Sequence, residues 1–336
     1  MKTKIQDMTS GSPGRLIILF AIPLMLGNIC QQLYTMVDTM VVGQIAGVEA
    51  LAALGAVDFL MWVVTGISTG LTQGFSIQLS QYYGAKDFEN LRKSLAHSYR
   101  LTAFIAAGVL IFSQAFASLV LTGLHTPSNI IGMSLLYLRI IFCGIPATAA
   151  YNMFASALRA MGNSKTPLTA MIIASVLNVS LDILFVAGFG WGVAGAAIAT
   201  VIAQSFSAVY CFLILRKIDI VHLTKADFMP ASGMNARLMK LGIPVVFQNI
   251  IIGVGGLVVQ YVINGYGFLF VAGFTATNKL YGLLEMAAIS YGYAIVTYVG
   301  QNLGAGRSDR IRKGVRSSML LSLLTSLIIS AAMFLF

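Results

Sequence analysis

Long apolar runs, separated by short polar stretches, make up most of this chain. A helix needs about 20 apolar residues to cross the hydrocarbon core of a membrane. Gly, Pro and charged residues divide the sequence into nine runs of at least that length. The predicted spans are residues 15–42, 50–81, 93–122, 128–160, 166–188, 192–216, 237–264, 269–301 and 312–336. The pattern predicts an all-α, polytopic membrane protein with nine transmembrane helices.

Basic residues lie in alternate stretches between these runs. Lys86, Arg92 and Lys93 follow the second span, and Arg159 and Lys165 lie between the fourth and the fifth. Further basic clusters precede the first span and follow the sixth and the eighth, whereas the opposite loops contain no Lys or Arg. Because cytoplasmic loops carry the excess of Lys and Arg, we expect the N-terminus and all the basic loops to be cytoplasmic.

Composition excludes several classes of protein. Apolar residues are 58% of the chain and charged residues 10%, too few charges to cover a soluble surface. The net charge of +10 sits at the ends of apolar runs, so it indicates membrane orientation and not nucleic-acid binding. Cys30, Cys143 and Cys211 lie singly inside apolar runs and predict neither a disulfide framework nor a metal site. No nucleophile–base arrangement, cofactor motif or phosphate-binding glycine–lysine loop is present, so we expect neither an enzyme, nor an ATP-driven pump, nor a bound cofactor.

Two blocks of the first part of the chain recur in the second part. Ile22, Pro23 and Asn28 recur with the same spacing as Ile243, Pro244 and Asn249. The second block pairs Gln81, Gly84, Ala85, Arg92 and Lys93 with Gln301, Gly304, Ala305, Arg312 and Lys313. Two blocks in nearly the same register indicate a true internal repeat.

The repeat predicts how the chain is organised. Each copy would hold six spans, so both copies enter the membrane from the same side, as in transporters built from parallel repeats. Residues 1–216 then form a six-helix N-lobe, residues 217–236 a cytoplasmic linker, and residues 237–336 a C-lobe with only its first three helices. We therefore expect the second lobe to be incomplete in this chain.

Acidic residues inside the spans are candidates for function, because a charge at membrane depth is costly. Asp38 lies about 23 residues after Arg15, and Asp182 about 15 after Pro167, which at roughly 1.5 Å per residue places both in the outer half. Asn178 is one helical turn before Asp182, and Thr200 on the next span reaches a similar depth. These oxygen ligands suit Na⁺, while a buried carboxylate equally suits a proton, and the sequence leaves both open. A structural role is the alternative, with Asp at an interface or Asn bonded to a neighbouring helix.

Other intramembrane residues give weaker signals. Asp58 and Glu285 are further candidates for substrate recognition or coupling, although Glu285 can equally pair with Lys279, six residues earlier. Arg139 is a costly charge inside the fourth span without an assigned partner.

Val259 and Gln260 stand in the second copy where Asp38 stands in the first, so the carboxylate is not duplicated. Helix kinks, static or moving, are predicted at prolines inside spans: Pro23, Pro146 and Pro244.

Several motifs together resemble the multidrug and toxic compound extrusion (MATE) family, in particular its bacterial branch named for the DNA-damage-inducible F protein. The matching residues cover nearly the whole chain: Pro23, Gln31, Gln32, Tyr34, Val37, Asp38, Thr39, Val42, Gly43, Leu51, Ala52, Ala53, Gly84, Ala85, Arg159, Ala160, Gly162, Asn163, Lys165, Thr166, Pro167 and residues 178–182. The resemblance implies a two-lobed antiporter of the bacterial inner membrane that exports amphipathic, often cationic compounds by alternating access. It implies coupling to inward H⁺ or Na⁺ movement, with the cation site at Asp38, Asn178, Asp182 and Thr200. The family has twelve helices, three more than are predicted in this chain.

Two alternatives to efflux are kept open. A lipid-linked oligosaccharide flippase of the same superfamily would share the paired lobes, but such proteins place several cations in the central cavity. Here Arg139 and Lys279 are the only basic residues that lie clearly inside the predicted spans. The other alternative is a fragment that transports nothing. Small drugs and membrane lipids are the expected partners, and the oligomeric state is not indicated by the sequence.

Overall fold

A computed structural model describes residues 5–123, 126–264 and 268–335, without the side chains of 48, 59, 333 and most of 257–284. Within these ranges the chain is helical and contains no strand, which confirms the all-α class. The helices are α1 (Pro13–Ile45), α2 (Val48–Gly55), α3 (Asp58–Gly84), α4 (Phe88–Gly123), α5 (Ile131–Cys143), α6 (Ile145–Ala160), α7 (Lys165–Asp182), α8 (Gly192–Leu215), α9 (Met234–Asn264), α10 (Phe268–Gly304) and α11 (Ser308–Leu335). A π-helical turn, Ile183–Gly188, extends α7, and the 3-10 turns Asp219–Val221 and Lys225–Phe228 lie between α8 and α9.

Two of the predicted spans are interrupted. The second is divided into α2 and α3, and the fourth into α5 and α6, which are bent by 46° at Gly144. Pro146 follows that bend directly, at the start of α6, where its missing N–H leaves no intrahelical hydrogen bond unmade. Pro23 and Pro244 lie inside the continuous helices α1 and α9.

The surface of the bundle is apolar. Phe104, Ile111 and Phe112 are 64–71% exposed on α4, as expected for helices that face lipid. Within the described residues, seven helices are long and apolar enough to cross a membrane, or eight if α5 and α6 form one bent span. The multi-span membrane class is therefore supported, while the count of nine spans stays a prediction.

The basic loops gather at one end of the bundle. The N-terminal segment reaches the α6–α7 loop, where Gln6 N–H donates to the Gly162 carbonyl over 3.1 Å. The α8–α9 segment packs beside the start of α4, where Arg92 and Asp227 approach to 3.7 Å. We call this the basic end, and it comprises residues 5–12, 85–87, 161–164, 216–233 and 305–307.

At the basic end the two sequence repeats meet reciprocally. A Cβ atom added to Gly84 would overlap the backbone of Gln301, and one added to Gly304 would overlap the backbone of Gln81. Both glycines therefore let α3 and α10 approach with their backbones almost in contact. These are the residues that the repeat equates, so the crossing is formed by the same positions of each copy.

Midway along the bundle the same reciprocity recurs with asparagines. Asn28 Nδ2 donates to Ser290 Oγ over 3.1 Å, from α1 to α10. Its repeat equivalent, Asn249, donates to the Gly66 carbonyl over 3.1 Å, from α9 to α3. The first helix of each copy thus binds the second span of the other copy.

Candidate functional site

Three helices each contribute two polar residues, one helical turn apart, to the half of the bundle away from the basic end. They are α1, α7 and α8, which pack against one another. Residues four apart lie on one face of a helix, so each pair faces the interior together. The pairs are Tyr34 and Asp38, Asn178 and Asp182, and Thr200 and Gln204. We call these six residues the carboxylate cluster.

The acids of this cluster are buried. Asp182 and Asn178 are 0% exposed, and Asp38 is 6% exposed. Asn178 Nδ2 donates to Thr200 Oγ1 over 3.4 Å, and Gln204 Nε2 donates to Tyr34 Oη over 3.4 Å. The structure thus brings together all four residues predicted as the cation site, from three separate helices.

Several oxygens of the cluster have no hydrogen-bond partner in the part of the chain that the structure describes. They are both carboxylate oxygens of Asp182, one of Asp38, and the amide oxygens of Asn178 and Gln204. Buried polar atoms in proteins are almost always paired, and a buried charge without a partner is especially costly. These acceptors, converging from three helices, are what a bound cation or proton would satisfy.

The two carboxylates also affect each other. Asp38 and Asp182 lie close enough for their charges to interact, and Asp58 lies within electrostatic range of Asp38. The buried phenol of Tyr137 on α5 lies within electrostatic range of all three acids. Two like charges in a low-dielectric site repel each other, and a cation bound between them would offset that repulsion.

A change of helix type directly follows Asp182. The α-helix ends at that residue, and the chain continues as the π-helical turn Ile183–Gly188. Short π-helical insertions disturb the regular hydrogen-bond ladder and are frequent at functional sites. Asp182 therefore lies where the backbone itself departs from regular geometry, a feature that the sequence analysis did not predict.

The remaining predicted residues lie outside this cluster. Asp58 is exposed at the first position of α3, just after the break from α2. Glu285 is exposed on α10, and the side chain of Lys279, its proposed ion-pair partner, lies outside the described residues. Val259 and Gln260 stand in the second copy where Asp38 stands in the first. Val259 is 49% exposed, and the side chain of Gln260 lies outside the described residues.

The donor set restricts which cations fit. Within the described residues, no group of three or more His, Cys, Asp or Glu side chains is placed to hold a metal. Two carboxylates with amide and hydroxyl oxygens are hard ligands, which suit Na⁺ or H⁺ and not a transition metal. The cluster fits a transported cation better than a resident cofactor.

Sequence reasoning missed two members of the cluster as site residues. Tyr34 precedes Asp38 by four positions, and Gln204 follows Thr200 by four. The same helical spacing that linked Asn178 to Asp182 would have found both.

Apolar outer surface, repeated helices and a buried acidic cluster together define a helical membrane transporter. The chain belongs to the MatE family, whose model matches residues 23–184 and 244–336. This match confirms the resemblance to the multidrug and toxic compound extrusion family.

Similar proteins support this assignment. The probable multidrug resistance protein YpnP of Bacillus subtilis is 32% identical over 92% of this chain and 69% of its own length. The probable multidrug resistance protein NorM of Thermotoga maritima is 26% identical over 95% of this chain and 70% of its own length. A solved MOP superfamily transporter from Pyrococcus furiosus superposes with a TM-score of 0.93 at 23% identity, over all of this chain and 75% of that one. Two of these proteins are described as probable multidrug resistance proteins and the third as a transporter.

Proposed function

We propose that this protein exports amphipathic organic cations by antiport, driven by the inward movement of H⁺ or Na⁺ through the carboxylate cluster. One observation carries the proposal. Asp182 is fully buried with both carboxylate oxygens unpartnered in the described structure, beside a second buried acid. Such a costly arrangement is typical of membrane residues that bind a ligand or carry a proton.

In the proposed cycle, the cation and the drug use the cluster alternately. Asp38 and Asp182 hold the incoming cation, while Asn178 and Thr200 supply neutral oxygens and keep the carboxylates oriented. Loss of the cation leaves two repelling carboxylates, and this repulsion favours rearrangement of α1 against α7 and α8. Exchange between these states is what couples the ion gradient to export.

The organisation of the chain supports alternating access. We propose residues 1–216 and 237–336 as the two lobes and residues 217–236 as their linker. The protein would lie in a bacterial inner membrane, with the basic end on the cytoplasmic side. The contacts of Gly84 and Gly304 bring the two repeats together at that end. The cluster would then be reached from the opposite side, and inward opening would require separating α3 from α10.

Gradient-driven efflux from proteoliposomes tests the proposal. The purified 336-residue chain would be reconstituted with ethidium inside, and an H⁺ gradient or a Na⁺ gradient imposed separately. Asp38→Asn removes a carboxylate of the cluster, and Asp219→Asn, at an exposed position between α8 and α9, is the matched control. We expect efflux with wild type and Asp219→Asn, and none with Asp38→Asn.

Each result has a clear meaning. The gradient that drives efflux identifies the coupling ion. Equal efflux by Asp38→Asn and wild type would reject the cluster as the coupling site. No efflux by correctly inserted wild-type chain would instead favour the alternative of a chain that does not transport by itself.

A further inference from the structure

Arg139 is a charge that the proposed transport cycle does not use. It lies on α5 about 12 Å in from Ile131, where that helix begins at the end opposite the basic loops. The residue is exposed on the outside of the bundle, and no carboxylate of the described residues lies within ion-pair distance of it. A lipid-facing arginine at membrane depth is costly unless it meets an anion or the headgroup region.

Arg139 lines an open groove between α4 and α5. The groove has a volume of about 790 Å³, and its other lining residues are Leu110, Ile111, Gln114, Ala115 and Cys143. Gln114 Nε2 donates to the Arg139 carbonyl over 2.8 Å and approaches Cys143 Sγ at 3.3 Å. The Gln114 amide thus ties the two helices together through the backbone and leaves the guanidinium to another partner.

The groove is polar near its outer end and apolar below. Because α4 runs away from the basic end, Leu110 and Ile111 lie about one turn deeper in the membrane than Gln114. Ile111 is 70% exposed, and Phe112 beside it is 64% exposed. A cation above an apolar wall matches an amphipathic anion with its charged group toward the membrane surface.

We propose that this groove binds an anionic phospholipid of the leaflet opposite the basic end, with its phosphate on Arg139 and an acyl chain along Leu110 and Ile111. Charge complementarity favours this occupant. Guanidinium presents paired N–H donors that match phosphate oxygens, and the bond strengthens where water is scarce. The inference stands on the geometry of α4 and α5 and does not depend on transport or on the carboxylate cluster.

Lipid retention by the purified protein tests this directly. The full chain would be equilibrated in detergent with equal amounts of phosphatidylglycerol and phosphatidylcholine, and bound lipid counted by native mass spectrometry. R139Q removes the guanidinium and leaves a shorter, neutral polar side chain. R216Q is the matched control. It removes the same charge from an exposed arginine that follows α8 at the basic end.

We expect wild type and R216Q to retain phosphatidylglycerol over phosphatidylcholine, and R139Q to lose roughly tenfold in that preference, as for one charge-assisted hydrogen bond. Equal retention by R139Q and wild type would overturn the proposal, and so would an equal loss in R216Q. If R139Q fails to fold, R139K carries the test: the ammonium lacks the paired N–H donors of guanidinium, so the preference should fall below that of wild type, and an unchanged preference would overturn the proposal. A wild-type dimer linked through Cys143 by a short crosslinker, with no bound lipid, would assign the groove to a second copy instead.

Discussion

Two buried polar clusters lie at opposite ends of this bundle, and they differ in how their hydrogen bonds are satisfied. At the basic end, Gln301 and Asn302 are fully buried and join the two repeats to the N-terminal segment. Gln301 donates to the Ala160 carbonyl over 2.8 Å and accepts from Met8 N–H over 3.0 Å. We call this set, completed by Asn302 and Arg310, the inter-repeat cluster.

Asn302 is satisfied in the same way. Its amide donates to the Met8 carbonyl over 2.9 Å and to the Tyr298 carbonyl over 2.8 Å, and its oxygen accepts from Arg310 Nε over 2.9 Å. The carboxylate cluster, equally buried, leaves both oxygens of Asp182 without a partner in the described chain. A satisfied network stabilises one arrangement, whereas unsatisfied buried polar groups are typical of functional sites. Substitutions should therefore separate the two clusters, one through transport and the other through stability.

The largest effect is expected on transport from Asp182→Asn. Because the amide cannot carry a charge or exchange a proton, gradient-driven ethidium efflux should fall to the level of empty liposomes. Thermal unfolding should shift little or upward, since the change removes a buried carboxylate without partners. Efflux and the unfolding temperature would be measured on the same preparation, beside Asp219→Asn. A strongly lowered unfolding temperature would mean that Asp182 stabilises the fold. The carboxylate cluster and the inter-repeat cluster would then not differ in this respect.

The next largest effect is expected on stability from Gly304→Ala. The added methyl meets the backbone of Gln81, which cannot move without separating α3 from α10, so a loss of about 3 kcal/mol is expected. Gly292→Ala on the same helix is the control, because nothing lies within 4 Å of its Cβ position among the described atoms. That control should be neutral or gain roughly 0.5 kcal/mol. Denaturant unfolding checks both, and equal midpoints would show that the crossing is looser than described.

A smaller loss of stability is expected from Gln301→Ala. Truncation leaves the Ala160 carbonyl and the Met8 N–H without their partner in a buried site, at a cost of about 2 kcal/mol. Gln44→Ala, at an exposed position on α1, is the control. Hydrogen exchange at the N-terminal segment should rise in Gln301→Ala alone. Unchanged protection at Met8 would mean that this segment is anchored by other contacts.

The smallest effect is expected from Tyr34→Phe. It removes one long hydrogen bond to Gln204, so the free energy of unfolding should change by only about 0.5 kcal/mol. Because Tyr34 belongs to the carboxylate cluster, the cation concentration for half-maximal efflux should rise by roughly threefold, as for about 0.7 kcal/mol. Tyr210→Phe on α8, for which the structure shows no hydrogen bond of the hydroxyl among described residues, is the control. Identical cation dependence in both variants would exclude Tyr34 from the site.

Much of this protein was predictable because the membrane imposes simple rules on its sequence. Apolar run length predicted most helices close to their observed bounds but not the breaks inside the second and fourth spans. The cost of burying a charge singled out Asp38 and Asp182. Asn178 followed from helical spacing, and Thr200 from its depth along α8. Tyr34 and Gln204 were missed as site residues because neutral polar side chains are common in membrane helices and carry no comparable cost.

The sequence by itself determined the class of protein, the repeat and the identity of the acids, since hydrophobic length, charge and spacing are local properties. Only the tertiary structure decided which buried polar groups have hydrogen-bond partners. The repeated glycines Gly84 and Gly304 were visible as a motif, but their reciprocal contact with Gln301 and Gln81 depends on how α3 and α10 cross. Likewise the change to π-helical geometry after Asp182 is not indicated by the hydrophobic pattern. Whether a buried polar atom has a partner depends on distant parts of the chain, and no local pattern encodes it.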